Sequence, residues 1–341
     1  MVLKDLCLLR GVAGNEGEVR SYIIDAAKKL ADEVKVDRMG NVIAIKRSKK
    51  ENAPTVMLDA HMDEVGMIVL GINPNGLISY DTCGGIDPRV VVSKPVLVGE
   101  DAVPGVIGAK AIHLQSAEDR KRVLGHSDLY IDIGAKDQAS AERLVKSGDY
   151  ISFDSEWVEF GDGMVKSKAL DDRVGCYNML RVLENEYPVN VICSFTVQEE
   201  TGLRGASTVL FSAGIKPDCA LALEGTTAND LGMVDSWEKV CCAGKGAVIS
   251  FMDRSSIGNV ALFDKVRRAA EKNGIPWQLK QKVAGGNNAG RLQTSRGPLA
   301  TCSISVPCRY IHSPSSVASL RDIEAQYRLA DAFLNEFDGL N

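Results

Sequence analysis

Paired thiols are missing from this sequence, although cysteine itself is not rare. The nine cysteines are scattered along the chain and include no CxxC pair. They therefore have neither the spacing of a zinc ribbon nor the even number typical of a disulfide framework. Several lie in apolar runs, where free cysteine packs as a small hydrophobic residue. Because the N-terminal residues also lack the pattern of a signal peptide, we expect a reducing, cytoplasmic location.

Long apolar runs, basic stretches and phosphate-binding motifs are also absent. No uninterrupted apolar run approaches the roughly 18 residues that a membrane span needs. The net charge is −5, which argues against nucleic acid or an anionic membrane as the main partner. Gly84-Gly85 and Gly285-Gly286 follow neither GxGxxG nor GxxxxGK[ST], so we interpret them as turns.

The 341 residues exceed the size at which one core usually stops growing, so we expect a large domain and a smaller one. Helical and strand patterns alternate after Met164, which predicts an α/β fold: a mixed sheet with helices on both faces. Between residues 66 and 161 the pattern changes to short β-rich runs, which predict an inserted β-barrel-like domain. The catalytic domain would then comprise residues 1–65 and 162–341. Its predicted strands include 54–60, 189–197, 218–223 and 300–306, and a long helix is predicted over 316–337.

Glu199 and Glu200 stand at the end of the strand predicted over 189–197. Open α/β sheets bind ligands at the C-terminal ends of their strands. Adjacent side chains in extended chain point in different directions, so one carboxylate can bind a metal while the other faces substrate or water. An isolated Glu-Glu pair is more often a solvated loop, and the interpretation therefore depends on partners elsewhere in the chain.

Further candidate ligands stand at the ends of predicted strands or the starts of helices. They are His61-x-Asp63, Asp171-Asp172, Glu224 and His312. Imidazole and carboxylate without thiolate form a ligand set for zinc, cobalt or manganese. Two ions that share one carboxylate need about five side-chain ligands and a base, and the chain has that number.

Each candidate also has an ordinary structural explanation. His61 could be a core histidine, Asp63 a solvated acid, and Asp171-Asp172 the capping acids of the next helix. Glu224 could pair with a cation, and His312 could belong to a loop. Taken one at a time, these explanations are at least as good as the functional one. Together they require five coincidences at one edge of one sheet.

Four stretches resemble the M42 family of metallo-aminopeptidases, which includes glutamyl aminopeptidases and the tetrahedral TET peptidases and has members once labelled endoglucanases. The stretches are His61-Met-Asp-Glu-Val-Gly66, Lys168-Ala-Leu-Asp-Asp-Arg173, Gln198-Glu-Glu-Thr-Gly-Leu-Arg-Gly-Ala206 and Arg309-Tyr-Ile-His-Ser-Pro314. They occur in the family's order, and the likeness covers nearly the whole chain.

The resemblance implies a role for each candidate. Asp171 would bridge two divalent metal ions, zinc, cobalt or manganese, and a cis peptide bond would join it to Asp172. His61 and Glu224 would complete one metal site. Glu200 and His312 would complete the other. Glu199 would be the general base, and Asp63 would orient His61.

The implied activity is removal of N-terminal residues from short peptides by metal-assisted hydrolysis. The inserted domain would mediate dimerisation, and the dimers would form a tetrahedral dodecamer. Other functions remain open: a deacylase of N-acylated amino acids or peptides on the same centre, a non-catalytic binding protein or scaffold, and a polysaccharide hydrolase. A binder would have no use for Glu199, and a polysaccharide hydrolase would have none for the histidines.

The sequence departs from the family pattern in two places. Glu224 stands where the family usually has Asp. Asn287-Asn288 stands where the family commonly has Thr-Asp, and we expect this loss of a carboxylate to affect substrate preference more than hydrolysis. The preferred N-terminal residue of the substrate does not follow from the sequence.

Overall fold

The computed structural model describes residues 3–214, 216–232 and 234–340. The helices are α1 Leu3–Leu8, α2 Gly17–Ala27, α3 Gln138–Ala141, α4 Leu170–Val182, α5 Ala206–Ala213, α6 Val260–Lys272, α7 Ala289–Leu292 and α8 Leu320–Glu336. The strands are β1 Glu33–Val36, β2 Val42–Lys46, β3 Thr55–His61, β4 Gly66–Ile72, β5 Ile78–Cys83, β6 Pro95–Val98, β7 Val103–Ala109, β8 Leu129–Asp132, β9 Tyr150–Phe153, β10 Val158–Phe160, β11 Met164–Ser167, β12 Asn190–Thr196, β13 Cys219–Thr227, β14 Ala247–Ser250, β15 Trp277–Leu279, β16 Ala300–Arg309 and β17 Ser316–Ser319.

A large mixed sheet forms the centre of the molecule. Its strand order is β1-β2-β12-β3-β13-β16-β17-β11-β10, and β14 pairs with both β16 and β15. The four central strands β12, β3, β13 and β16 are parallel to one another. Strand β2 pairs antiparallel with β12, and strands β14 and β17 pair antiparallel with β16. Every residue of β3 is buried, as expected of a strand that is covered on both faces.

Alternate residues of the central strands enter two different cores. Leu58 and Leu221 lie in the core that also contains residues of α2, α4, α6 and α8. Met57 and Ala220 lie in the opposite core, with residues of α5 and α7. Since successive side chains in a strand point to opposite faces, helices cover both faces of the sheet. The predicted α/β architecture is confirmed.

A closed six-stranded barrel follows β3 in the chain. Its order is β4-β5-β8-β7-β6-β9, and its own apolar core includes Met67, Ile131 and Phe153. The barrel strands run from Gly66 to Phe153. The next strand, β10, pairs with β11 in the large sheet, so the last part of the segment predicted over 66–161 lies on that sheet. Whether 66–161 forms a domain that dimerises stays a prediction.

Two predicted elements have different bounds in the structure. The closing helix begins at Leu320, because residues 316–319 form β17, and the hydroxyl of Ser319 accepts the N–H of Arg321 at the start of α8. Strand β13 continues to Thr227, so Glu224 lies inside it and not at its end. No helix among the described residues is long and apolar enough to cross a membrane.

Candidate metal centre

The candidate ligands meet at one edge of the large sheet. His61 is the last residue of β3, Glu199 and Glu200 follow β12 by a few residues, and Glu224 lies near the end of β13. His312 follows β16. Because these four strands are parallel, their C-terminal ends open on the same crevice. The start of α4 brings Asp171 to the same place.

Asp171 lies between two histidines. Its Oδ1 is 3.5 Å from Nε2 of His61, and its Oδ2 is 3.6 Å from Nε2 of His312. Each histidine also faces one further acid: Nε2 of His61 lies 3.7 Å from Oε2 of Glu224, and Nε2 of His312 lies 3.4 Å from Oε2 of Glu200. The two histidines therefore share one carboxylate, and each is paired with a different glutamate.

These separations fit divalent ions better than hydrogen bonds. Two ligand atoms that are each 2.0–2.2 Å from a tetrahedral zinc ion lie about 3.3–3.6 Å apart, whereas an N–H···O bond is about 2.7–3.2 Å long. Oε1 of Glu224 is buried without a hydrogen-bond partner. No lysine or arginine in the described residues forms an ion pair with Asp171, Glu200 or Glu224. The donor set therefore fits two divalent cations.

Backbone carbonyl groups hold both histidines in the same tautomer. Nδ1 of His61 lies 3.0 Å from the carbonyl oxygen of Asp63, and Nδ1 of His312 lies 3.0 Å from that of Gly85. A carbonyl oxygen only accepts, so each Nδ1 carries a proton, and each Nε2 is the ring nitrogen that could bind a metal ion lying between it and the carboxylates. Gly85 follows β5, so the barrel contributes directly to this centre.

Asp63 contacts His61 in a different way from the one expected. Its carboxylate oxygen Oδ1 is 3.6 Å from Nδ1 of His61, and its backbone carbonyl makes the shorter contact. The carboxylate instead accepts the backbone N–H groups of Glu199 and Glu200, each at 3.0 Å. One residue thus orients a histidine and holds the Glu199-Glu200 loop.

Two roles were considered for Asp171 and Asp172, metal ligation and capping of the next helix, and the structure favours a different one for each residue. The peptide bond between them is cis, as the resemblance implied. The carboxylate of Asp172 accepts the N–H of His61 at 3.2 Å and that of Gly175 at 3.1 Å, and the second of these bonds caps the first turn of α4. Ligand atoms of Asp172, His61 and Glu224 also lie within 4.8 Å of one another. Backbone donors occupy both oxygens of Asp172, and Oδ1 of Asp171 likewise accepts the N–H of Gly225 at 3.2 Å. Only Asp171 faces both histidines, so it is the better candidate for a bridge.

Burial shifts the acid–base properties of the centre. Burial raises the pKa of Glu199 and of Glu224 well above the usual value, and it raises the pKa of Glu200 to about 7. Burial alone would lower the pKa of His61, but the negative charge of Glu199 and the carboxylates of Asp171 and Asp63 raise it instead. Glu199 lies 4.0 Å from Nε2 of His61 and belongs to neither ligand group, so it is available for proton transfer.

A buried ion network supports the centre from the side of the N-terminal segment. Nζ of Lys168 lies 2.7 and 2.9 Å from the two carboxylate oxygens of Glu64 and donates to the carbonyl of Leu9. Arg173 donates to the carbonyls of Met62 and Leu6. All three charged residues lie within three positions of candidate site residues in the sequence, yet sequence reasoning gave them no role. The only feature of the sequence that could have indicated a role for them is their position in the stretches 61–66 and 168–173.

Comparison with known proteins identifies the family. A model described as M42 glutamyl aminopeptidase matches residues 40–329. The chain belongs to the M42 peptidase family. As an M42 peptidase it is a hydrolase of peptide bonds, and the predicted resemblance and enzyme class are confirmed.

Relatives of this M42 peptidase match it over nearly its whole length. A lysyl aminopeptidase from Pyrococcus furiosus is 31% identical over 346 residues, which cover 98% of this chain and 96% of that protein. A TET aminopeptidase from a marine-sediment archaeon, Thaumarchaeota archaeon SCGC AB-539-E09, is 34% identical, with a TM-score of 0.94 over 98% of this chain and 95% of that one. A TET1 peptidase from Pyrococcus horikoshii, described as assembling into a tetrahedron or a large octahedral shell, is 34% identical, with a TM-score of 0.85 and 98% coverage of both chains.

Proposed function

We propose that this M42 peptidase is a cytoplasmic two-metal aminopeptidase that removes N-terminal residues from short peptides. The observation that carries the proposal is the position of Asp171, whose two carboxylate oxygens face two different histidines. His61 and Glu224 would complete one ion site, and His312 and Glu200 the other. Zinc or cobalt, and also manganese, suit this donor set.

Glu199 would perform the proton transfers. When bound, the two ions would lower the pKa of a water molecule and polarise the scissile carbonyl group. Glu199 would take the proton from the attacking water and deliver it to the departing amine. Burial raises its pKa, which suits a group that must both accept and return a proton. The carboxylate of Asp63 holds the N–H of Glu199 and so sets where this base lies.

Glu199 favours a substrate with a free α-amine. It belongs to neither ligand group, so bound ions would leave its negative charge available to attract the cationic N-terminus of a peptide. An N-acylated substrate has no such cation. This charge supports exopeptidase activity as the proposed function.

A panel of aminoacyl p-nitroanilides and their N-acetylated counterparts tests this function. The protein would be treated with a chelator and resupplied with zinc, cobalt or manganese. Hydrolysis of the free-amine substrates that returns with metal supports the proposal, whereas hydrolysis of the acetylated substrates alone indicates a deacylase. Glu199→Gln should retain both ions, measured by elemental analysis, and lose roughly 10²- to 10⁴-fold in kcat. The exposed Glu184 provides the control Glu184→Gln, which should keep full activity.

We also propose that dimers form through the barrel and assemble into a tetrahedral dodecamer. The support is the similarity to the Pyrococcus horikoshii TET1 peptidase and the continuous match through the barrel. Light scattering after size exclusion, with electron microscopy of the same fraction, tests the assembly. A chain that stays monomeric or dimeric at micromolar concentration contradicts it.

A further inference from the structure

Side chains from distant segments hold the backbone of residues 197–200, the base loop, which carries Glu199. The N–H groups of these four consecutive residues each donate to a side-chain oxygen at 3.0–3.2 Å. Three side chains accept the four bonds, which are, in the order of the bonds, Asn41, Glu16 and Asp63. A backbone N–H in a loop needs a partner outside the regular ladders, so these side chains determine where the base loop lies. The bond from Glu16 spans 182 positions of the chain.

Gln198, directly before Glu199, has an unusual backbone conformation. Its φ is +54°, in the left-handed region that residues other than glycine rarely occupy. Such a conformation persists only where the surrounding structure enforces it. The N–H of Gln198 donates to Oε1 of Glu16 at 3.2 Å, and its carbonyl oxygen accepts the N–H of Arg204 at 3.1 Å. The two bonds hold this residue from both sides, and a change in its φ would redirect Glu199.

Glu16 is buried although it stands directly before a helix. It precedes α2, and a polar side chain at this position often accepts an N–H group of the first helical turn. Within the part of the chain that the structure describes, its side chain forms no such capping bond. Its Oε1 instead accepts the N–H groups of Gly14 at 2.7 Å and Gln198 at 3.2 Å, and only 2% of the residue is exposed. A buried carboxylate is costly unless hydrogen bonds satisfy it, and here they connect the N-terminal segment to the base loop.

The segment that carries Glu16 is itself fixed to the rest of the protein. Arg10 donates to the carbonyl groups of residues 99 and 100, in the barrel loop between β6 and β7, at 2.9 and 3.1 Å. Two backbone bonds, of 2.9 and 3.1 Å, join residues 11 and 13 to Glu64. Because its backbone is anchored on both sides, Glu16 offers its carboxylate from a rigid support, as a side chain that positions a site requires.

We propose that Glu16 is a positioning residue for Glu199: by holding the N–H of Gln198, it fixes the left-handed turn that directs the base towards the metal centre. The inference rests on the proposed two-metal function, in which Glu199 transfers the protons. A misplacement of about 1 Å in a catalytic group can cost up to roughly 100-fold in rate. Glu16 therefore acts on kcat through Glu199, without touching the substrate.

Glu16→Gln and Glu16→Asp form the decisive pair of variants. Gln keeps the length of the side chain and an oxygen that can accept both N–H groups, but it loses the charge. Asp keeps the charge but is one methylene shorter. If the position of the oxygen matters, Glu16→Gln should retain kcat within a few-fold, whereas Glu16→Asp should lose roughly 10- to 100-fold in kcat with KM unchanged. If Glu16 acts only through its charge, which faces Arg20 at 3.4 Å, the order of the two variants reverses.

Glu18 provides matched controls, because the same two substitutions can be made two positions further along the chain. Its carboxylate bonds to Nε of Arg10 at 2.8 Å and lies on the outside of α2. Glu18→Gln and Glu18→Asp should leave kcat and KM unchanged. All variants would be assayed metal-loaded, well below their melting temperatures, on the free-amine anilide that the parent enzyme cleaves fastest. Elemental analysis should find the same metal content in each.

The outcomes separate the inference from the proposed function. A parent enzyme that cleaves neither free-amine nor acetylated anilides overturns the proposed function, and the inference with it. A parent that cleaves only acetylated anilides overturns the aminopeptidase, and the same comparison of kcat on those substrates then decides the role of Glu16. In an active enzyme, a kcat for Glu16→Asp equal to or above that for Glu16→Gln overturns the inference alone. A loss of kcat that follows only from lost metal also overturns it.

Discussion

The backbone carbonyl oxygen of Gly85 lies 3.0 Å from Nδ1 of His312. Gly85 belongs to the loop after β5 of the barrel, and His312 follows β16 of the large sheet. A residue of the barrel thus sets the tautomer of a candidate ligand that is 227 positions away in the chain. This contact couples the geometry of the barrel to that of the metal centre.

Alanine at Gly84 and at Gly85 should have very different effects. Gly84 has φ +95°, and a Cβ there would lie 2.9 Å from Val65 and 3.2 Å from Glu200, whereas a Cβ on Gly85 would meet only Nδ1 of His312 at 3.8 Å. A side chain at positive φ costs about 1–2 kcal/mol. We expect Gly84→Ala to lower stability by at least that amount and to weaken metal binding. Gly85→Ala is the matched control, and thermal melting with metal titration compares them. Equal losses of stability and of metal affinity in the two variants would contradict the close packing described at Gly84.

Asp63→Asn should impair the centre without removing a ligand. Two backbone N–H groups, of Glu199 and Glu200, donate to the carboxylate, and an amide can accept only one of them while its NH₂ group opposes the other. Residues that orient a metal site in this way typically contribute roughly 10- to 100-fold to affinity or activity. We expect losses of that size in kcat and in metal affinity. Unchanged metal affinity and kcat in a folded variant would show that the loop is held by other contacts.

Removing the metal should destabilise the protein more at alkaline pH. Burial raises the pKa of Glu200 from 4.5 to about 7, so the folded, metal-free protein binds this proton more tightly than the unfolded chain. This tighter proton binding contributes to the free energy of unfolding. The contribution is fully present below pH 4.5, is lost as the pH rises through about 7, and is on the order of 3 kcal/mol for one such group. The melting temperatures of chelated and metal-loaded protein should therefore differ more at pH 8 than at pH 5.5. A difference that is constant with pH would contradict this linkage.

The buried pair of Lys168 and Glu64 predicts a specific pattern of mutational effects. Lys168→Met leaves a carboxylate of 2% relative exposure without its nearest cation, and removal of one partner of a buried pair costs about 3–5 kcal/mol. Lys168→Met with Glu64→Gln removes both charges but also takes away the carboxylate that lies 3.6 Å from Arg173, so it should recover only part of that loss. Denaturant unfolding of the two variants provides the comparison. A double variant that is less stable than the single one would contradict the explanation.

Asn288→Asp, which restores the residue that the family commonly has, should destabilise this chain. The amide of Asn288 donates to Asp59 and to the hydroxyl of Thr196, each at 2.8 Å, and burial raises the pKa of Asp59 to about 6. A second carboxylate beside it would repel it once both are ionised, so the variant should lose more stability at pH 8 than at pH 5. Adding Asp59→Asn should restore stability. If thermal melting finds Asn288→Asp as stable as the parent at pH 8, the two side chains do not interact as described.

The effect of Asn287-Asn288 on substrate preference stays a prediction. Asn288 is fully buried beneath the crevice, against Asp59. Asn287 bonds to the hydroxyl of Ser303 and packs by the Asp253 turn. The structure therefore connects Asn287, through Ser255, to the turn at Asp253.

The sequence alone was sufficient for the parts of this protein that have a local signal. Apolar runs at strand period placed the central strands. Acids and histidines at the ends of those runs placed His61, Glu199, Glu200 and His312 at one edge, because parallel strands share their C-terminal edge. The ends of elements were less certain: Ser316 to Ser319 form a strand because tertiary pairing with β16 and β11 outweighs helix propensity.

Only the tertiary structure decided how these side chains are held and what surrounds them. The carbonyl of Gly85 at His312 and the backbone donors at Asp63 are contacts between distant segments. A backbone carbonyl or N–H is the same in nearly every residue and leaves no mark in the sequence. Residue types and strand order thus determined where the candidate site is located, while long-range packing determined the orientation of its side chains.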